Sequence, residues 1–486
     1  GKALVDKLGD ENDGTTQAGD LTLREAIALI GEDIEGVVFA DGLDDQTITL
    51  DPALGPLVID KDIVIDGGQA VTISGGEATS IFKITSGNVV IKNITLKDGL
   101  ARGGNGGVGM KDKWTSVSGN GAGGGGAGMG GAIYAVDGVV AIENVTFQGN
   151  KAVGGNGGAE IVWYHLESGG GGGNSSFGSG GGTAGLAGLN TNDRSKWSGR
   201  AGGFGGGGGG GASYNGGGIG GAGGFGGGAG GGAEDGYANG NQFTGRYTMA
   251  LGGQFGGNGG IEKQNVDSAG SGGGGAGLGG ALFIKGATVT IKNSSFTGNS
   301  VQNGVAGAVT RNGIAGTDGQ AVGGAIFVYQ DATFNSYGGV IYDGNSAQTS
   351  GDNYYIMEGA EYDTAPPVLA GTFTGEVTEG DEGDVSSVSG AISITDADAD
   401  DDPSFEDVEL SGNHGTLVLA GGTWIYTLDQ TAAQAFQQGD LRVEKFTLTA
   451  TDGTQQLITI DVIGANDAPV GVVATAGATE DGDTLT

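Results

Sequence analysis

The chain contains no cysteine among its 486 residues. That excludes a disulfide framework and any thiolate metal site. Stability then has to come from burial, backbone pairing or bound ions. Proline is scarce, at 6 residues, and no unbroken Gly-X-Y period runs through the chain, which excludes a collagen triple helix. Positive charge is scarce too: 21 Lys and Arg stand against 57 Asp and Glu, a formal net charge of −36. Such a chain has no basic footprint for nucleic acid and suits a soluble, cation-binding surface. No apolar run approaches the roughly 20 residues of a membrane span. No signal peptide stands at Gly1, so the segment is expected to be processed or cut from something longer. The two histidines, His165 and His414, are isolated in the sequence, and no nucleophile triad, P-loop or metal cluster is visible.

What is abundant is glycine, 114 of the 486 residues, against an average of about 7%. Residues 202–232 read "GGFGGGGGGGASYNGGGIGGAGGFGGGAGGG". The surrounding sequence shows how such a stretch is framed, because the chain repeats. "GGAIYAVDGVVAIENVTFQGNKA" (130–152) aligns without gaps on "GGALFIKGATVTIKNSSFTGNSV" (279–301). Asn144 matches Asn293, Phe147 matches Phe296, and Asn150 matches Asn299. An earlier copy at 80–101 places Asn93 and Leu96 in the same register, and a looser copy covers 323–347. Each copy holds short strands of alternating apolar residues, such as Val140, Ile142 and Val145, bounded by Gly or Asn. One copy cannot bury its own apolar face, whereas stacked copies can. The expected fold is all-β: a right-handed parallel β-helix with each copy as one coil and the repeated Asn positions as ladders. A β-sandwich is the competing architecture. Strands before residue 80 extend the pattern toward the N-terminus.

"GDLTLREAIALI" (19–30) puts Leu23, Ile27 and Ile30 on one helical face, with Asp20 as the candidate N-cap and Glu25 in the first turns. A short helix here would cap the open end of the stack. Thr22, Leu23, Arg24, Glu25, Ala26 and Ile27 resemble the "SLREAI" signature of secreted bacterial β-helix proteins and polymorphic outer-membrane-type repeats. That family often has Cys where Leu21 stands. The resemblance covers roughly residues 1–350 and implies a fold; the fold hosts adhesins, lyases and fibres alike.

The glycine enters at equivalent points of successive coils. "RGGNGGV" (102–108), "VGGNGGA" (153–159) and "FGGNGGI" (255–261) lead outward or onward, and "MGGAIY", "LGGALF" and "VGGAIF" return. Three insertions follow, at 102–129, 153–278 and 302–322. Insertions at one corner of a solenoid share one face. Their internal period is three: Arg102, Asn105 and Val108 are separated by glycine pairs, as are Ile219, Ala222 and Phe225. Three residues per turn is the polyproline II helix, which has no internal hydrogen bonds. Glycine lets such helices approach closely enough to bond laterally. The expectation is therefore a packed bundle beside the β-helix, in which the three insertions touch and share backbone hydrogen bonds. Composition alone would give a loose Gly/Ser-type loop. Glycine-rich bundles of this composition resemble the tips of some phage tail-fibre adhesins and certain small antifreeze proteins. Ice binding draws no support from a regular Thr array.

The domains expected are a β-helix over 1–360, a linker at 361–370 marked by "APPV", a β-sandwich over 371–470, and a linking strand or next module at 471–486. "VTEG" at Glu379, "SITDADAD" with Asp396 and Asp398, "GTWIYTL" at Trp424, "TATDG" at Asp452 and "GANDAPV" with Asn466 and Asp467 resemble a VCBS repeat, a cadherin-like module of secreted bacterial adhesins. "ATEDGDTLT", with Glu480 and Asp481, resembles the opening of another. Residues 371–486 carry 22 Asp and Glu against Arg442 and Lys445. A solvated acidic surface is the plain account of such a run. The resemblance implies calcium instead, with Glu379, Asp396, Asp398, Asp452, Asn466, Asp467, Glu480 and Asp481 as ligands.

The rival class is a polysaccharide lyase or glycosidase on the β-helix. Lyases need an Arg or Lys base beside clustered acids, and hydrolases need two carboxyls roughly 5–10 Å apart. The coils offer Lys92, Glu143 and Lys292, which stand beside ladder Asn positions and are expected to face solvent. "GGNGG" lacks the spacing of a dinucleotide fingerprint. No enzymatic role is expected. The expected function is an extracellular adhesive or structural protein of a bacterial surface, biofilm matrix or fibre. Its expected partner is a cell-surface or matrix glycan or protein, or a second copy. A self-assembling filament joined by strand addition at an exposed sheet edge is the alternative.

Overall fold

A computed structural model of the chain describes residues 1–465, apart from 15–16, 18, 32, 113–119, 164–171, 174–197, 212–217, 233–248, 262–268, 310–312, 365–366, 382, 397–402 and 452–453. The structure is all-β with parallel sheets. It divides into two units, Gly1–Thr364 and Ala365–Thr486.

The first unit is a stack of parallel strands. Its largest sheet runs Lys2–Val5, Gly36–Phe39, Ile63–Ser74, Asn88–Lys97, Val139–Gln148, Thr288–Lys292, Thr333–Tyr337 and Glu361–Asp363. A second sheet runs from Leu57–Ile59 through Phe82–Ile84, Ile133–Ala135, Leu282–Ile284 and Ile326–Val328 to Tyr354–Ile356. A third joins Leu100–Arg102, Lys151–Val153, Ser300–Gln302 and Ser346–Ala347. The register is the one that aligns the repeats: Phe147 lies between Leu96 and Phe296, and Val140 between Val89 and Val289. Like therefore stacks on like inside one continuous core. The Phe147 and Phe296 rings lie 4.5 Å apart and nearly coplanar in orientation, at 1°.

The repeated asparagines do two different jobs. Asn93, Asn144 and Asn293 hold φ of 55°, 54° and 48°, a left-handed corner that Asn tolerates better than most residues. Asn150, Asn299 and Asn345 are buried. The Asn299 side-chain oxygen accepts from the Asn150 backbone N–H at 3.0 Å and its amide at 2.9 Å, and Asn345 does the same for Asn299 at 3.0 and 2.9 Å. Each amide also donates to a carbonyl of the coil before, Asn150 to Leu96 and Asn299 to Phe147. Buried polar groups need such partners.

Helix Leu23–Ala28 packs Leu23, Ala26 and Ile27 into the same core. Its N-cap is Thr22, not Asp20. Thr22 and Glu25 form a reciprocal capping box, which satisfies two of the first-turn donors that any helix leaves open. Asp20 instead pairs with Lys7 at 2.6 Å. Arg24 clamps Asp10 with two bonds of 2.8 Å and reaches the Gly55 carbonyl at 2.7 Å.

The boundary between the units also differs from expectation. Glu361–Asp363 is still a strand of the first unit, paired with Thr333–Tyr337, and Tyr362 stacks beneath Phe334. Val368–Gly371 already pairs with Ser387–Thr395. Strand pairing thus enters the expected linker from both sides, because both flanking segments find strands to pair with.

In the second unit, Val368–Gly371, Ser387–Thr395, Thr423–Leu428, Gly415–Ala420 and Val408–Ser411 form one antiparallel sheet. Thr374–Thr378, Gln455–Ile463 and Leu441–Thr449 form another. Alternating residues of both enter one core around Trp424, whose indole N–H donates to the Thr372 carbonyl at 2.8 Å.

Candidate functional site: the glycine slab and its aromatic seam

The glycine segments leave the third sheet and return through a short sheet of Gly128–Met129, Gly277–Leu278 and Ala321–Val322. Between those points they form a slab bonded through the backbone. Segment 121–128 shows the rule. The N–H groups of Gly121, Gly124 and Ala127 donate to the carbonyls of Gly211, Gly208 and Gly205. Those of Ala122, Gly125 and Gly128 donate to Gly270, Gly273 and Ala276, and those of Gly123 and Gly126 to Gly107 and Gly104. All eight bonds fall between 2.7 and 3.1 Å. Its carbonyls accept from Gly155 and Gly158, from Gly228 and Gly231, and from Gly173. The donors rotate through three neighbours and the acceptors through three others, so six segments surround this one.

The same period of three links four layers. The first holds 103–109, 154–160 and 303–309; the second 172–173, 121–128, 270–277 and 316–320; the third 205–211, 226–232 and 256–260; the fourth 198–204, 218–225 and 249–255. The three insertions thus share backbone hydrogen bonds. Glycine is required at most inner positions, while Ala122, Ala127, Ala229, Ser271 and Ala276 are buried where a small side chain fits. A Cβ on Gly124 would fall on the Gly228 carbonyl, one on Gly125 on that of Gly155, and one on Gly224 on that of Gly203.

Larger side chains stand mostly at the outer faces. In 303–307 the two N–H groups of Gly304 and Gly307 donate inward to Gly275 and Gly272. The other three donate to side chains: Asn303 to Gln348 at 3.1 Å, Val305 to Asn156 at 3.0 Å, and Ala306 to Asp318 at 2.7 Å. Likewise Asn156 donates to the Asn105 side chain at 2.9 Å, and Asn258 to the Thr317 hydroxyl at 2.8 Å.

Layers three and four are joined by tight turns. The Gly206 N–H donates to the Gly203 carbonyl, with Gly205 at φ 75°; Gly227 donates to Gly224, with Gly226 at φ 72°. These have a left-handed third residue, the type II pattern that favours glycine. The third turn, Gly256 to Gly253, places Phe255 there at φ 69°. Phe204, Phe225 and Phe255 at these turns meet an aromatic ladder on the second sheet, Tyr134, Phe283, Phe327 and Tyr355. Phe255 lies edge-on to Phe327 at 5.4 Å and to Tyr355 at 5.6 Å, which holds the strained turn in place. Lys285 places its ammonium 5.2 Å from the Phe204 ring and 5.9 Å from that of Tyr329. The sequence pattern hid these turns, because Phe225 continues the period of three. The repeated "GGFGG" at 202–206 and 223–227 was the available signal.

The other candidate residues fall as follows. Glu379 is 4% exposed at the end of Thr374–Thr378. Its Oε2 accepts from the Ala465 N–H at 3.1 Å, and its Oε1 is buried with no hydrogen-bond partner among the described residues. Asp396 is half-buried just after Ser387–Thr395. Asp398, Asp452, Asn466, Asp467, Glu480 and Asp481 lie outside the described residues, as does His165. Among the described residues, no group of three or more His, Cys, Asp or Glu could hold a metal ion. His414 is not isolated: its Nδ1 lies 3.2 Å from Glu444, which also accepts from the His414 N–H at 2.7 Å and the Tyr426 hydroxyl at 2.8 Å. Burial and the Glu444 carboxylate hold the Tyr426 phenol well above its ordinary range. Lys92 pairs with Asp66 at 3.3 Å, and Lys292 sits 5.5 Å from the centre of the Tyr337 ring; Glu143 is exposed between them.

Among the described residues, no helix is long and apolar enough to cross a membrane. Compared with known protein families and with curated proteins, the chain matches none.

Proposed function

We propose that this is a non-catalytic, extracellular adhesive or structural protein of a bacterial surface or matrix. In this reading the first unit is a right-handed parallel β-helix, and its slab is a bundle of polyproline II-like helices. The slab presents a rigid face to a surface glycan or protein. The second unit is a cadherin-like sandwich stiffened by calcium.

One observation carries the adhesive reading. All eight N–H groups of 121–128 are bonded to backbone carbonyls of other segments, so the slab is held from within and its faces are fixed. Preorganised faces bind without an ordering cost. The coil positions Lys92, Glu143 and Lys292 engage in side-chain pairing along the sheet or lie exposed, which suits a rod better than a reaction centre. The test is binding of the full chain to immobilised matrix glycans and cell-surface protein. Replacing exposed slab residues Ile219 and Leu251 by Asp should abolish retention while the rod stays folded. Release of unsaturated uronides from a polysaccharide would overturn the non-catalytic reading.

The orphaned Oε1 of Glu379 supports the calcium reading. It is a buried carboxylate oxygen on the side chain that accepts from the Ala465 N–H, and a hard cation takes six to eight such oxygens. Glu379, Asp396, Asp398, Asp452, Asn466 and Asp467 would hold the ion, and Glu480 and Asp481 would begin the next site. When bound, it would neutralise acids that otherwise repel. Calcium should raise the unfolding temperature of the second unit within the full chain. Glu379→Gln should remove that gain, and a melting curve indifferent to millimolar calcium would leave the acids as solvated surface.

A further inference from the structure

We propose that the outward side chains of the slab are terminators, which stop its backbone lattice from recruiting the glycine segments of a second copy. A slab in which each three-residue turn donates in three directions and accepts from three others has no intrinsic edge. Each outer segment would offer the next one the same donors and acceptors that 121–128 offers its six neighbours, much as an unpaired edge strand offers itself to another chain. Two features close it.

The first is steric. At most inner positions a single Cβ would fall on a neighbouring carbonyl, as at Gly124 and Gly125, and the side chains that are accommodated inside are no larger than Ala or Ser, as at Ala122 and Ser271. On the outer face of the first layer, Asn105, Val108, Asn156, Val305 and Ala308 are all exposed and recur at the third residue. Val305 is 50% exposed. Each therefore bars another segment at the position where an inner segment would require glycine. The second feature is chemical. The Val305 N–H points away from the inner layers and is taken by the Asn156 side chain, and the Asn156 N–H by Asn105. At the side of the layer, Gln348 and Asp318 take the N–H groups of Asn303 and Ala306. Side-chain carbonyls thus stand where the next layer's carbonyls would be. The excluded partner is a glycine segment of the same chemistry, while the face stays open to ligands that do not need backbone contact.

The test restores glycine in the full chain. A variant carrying Asn105→Gly, Val108→Gly, Asn156→Gly, Val305→Gly and Ala308→Gly should associate, with at least a doubling of the sedimenting mass over the parent chain at equal concentration. Amide protection across 121–128 should persist. If that protection is lost, the milder Val305→Gly/Ala308→Gly pair, which keeps both Asn caps, is judged by the same criterion. A variant that keeps central protection and stays as dispersed as the parent overturns the proposal. So does loss of central protection in both variants, which would make the spacers internal supports. Assembly of the parent chain that Val305→Asp abolishes would overturn it as well.

Discussion

Phe204 and Phe225 stack ring on ring, 4.8 Å between centroids with planes 12° apart. Each sits at the second position of a turn whose third residue is a left-handed glycine. Two equivalent turns of the slab thereby present their rings to one aromatic surface of the stack. Phe225 also meets Tyr329 at 4.8 Å and Phe327 at 6.1 Å. Truncating a buried Phe to Ala costs about 3–5 kcal/mol, and Phe225, being half-buried, should fall at the low end. Phe225→Ala is expected to speed amide exchange across 205–211 and 226–232 while leaving Asn88–Lys97 unchanged. Equal loosening of both regions would mean that slab and stack do not separate along this seam.

Lateral approach in the slab depends on glycine at named positions. A Cβ on Gly220 would meet the Gly230 carbonyl, one on Gly221 that of Arg200, and one on Gly224 that of Gly203. The triple change of Gly220, Gly221 and Gly224 to Val should melt the slab and spare the coils. Full amide protection of the described residues within 202–232 in that variant would contradict the bonding scheme.

Asn299→Ala breaks a ladder that has no room for compensation. It strands the Asn150 backbone N–H inside the core and removes one of the two acceptors of the Asn150 amide, whose bond to Leu96 remains. Each orphaned buried group costs about 1–3 kcal/mol. The unfolding temperature of the first unit should drop clearly, and by much more than for Asn144→Ala at the exposed corner. Similar losses at both sites would mean that burial does not distinguish the ladders.

Much of this was legible in the sequence for a physical reason. A gapless repeat forces like residues into register, so the match of Phe147 to Phe296 already states which rings stack. The "TLREAI" stretch gave the helix but misplaced its start, because Asp20 and Thr22 are both acceptable caps and only the reciprocal bond to Glu25 separates them. The six partners of 121–128 were not legible. Glycine carries no side-chain pattern to say which segment lies beside which. The side-chain caps from Gln348 and Asp318 come from neighbouring parts of the fold and leave no local mark. In the second unit, His414 is far from Glu444 along the chain, so their meeting follows from strand pairing alone.

Alkaline pH should weaken the first unit. Burial pushes the Tyr342 phenol up to about 12, whereas tyrosines of an unfolded chain ionise near 10. Below pH 10 both states keep the proton and the stabilisation is complete. Above it the unfolded chain releases its proton first, so stability falls as pH rises toward 12. Tyr362 and Tyr134 are shifted in the same direction by burial. Denaturant melts at stepped pH should show this fall, shallower in Tyr342→Phe. A stability that stays level across the window would place these phenols in water.

The six-fold surroundings of 121–128 also set an order of events. Its bonding partners include 205–211 and 270–276, which follow far along the chain. Non-local closure of this kind is slow, because loop entropy is lost before contacts repay it. The first coil strands, from Ile63–Ser74 through Asn88–Lys97 to Val139–Gln148, pair with their neighbours as soon as the next repeat is present. The glycine of the first insertion must instead wait, open to solvent and protease, until the second insertion has been made and folded back. The central slab segment is therefore expected to lock after the first coils, and the time to resist digestion at 121–128 is the clock that measures its completion.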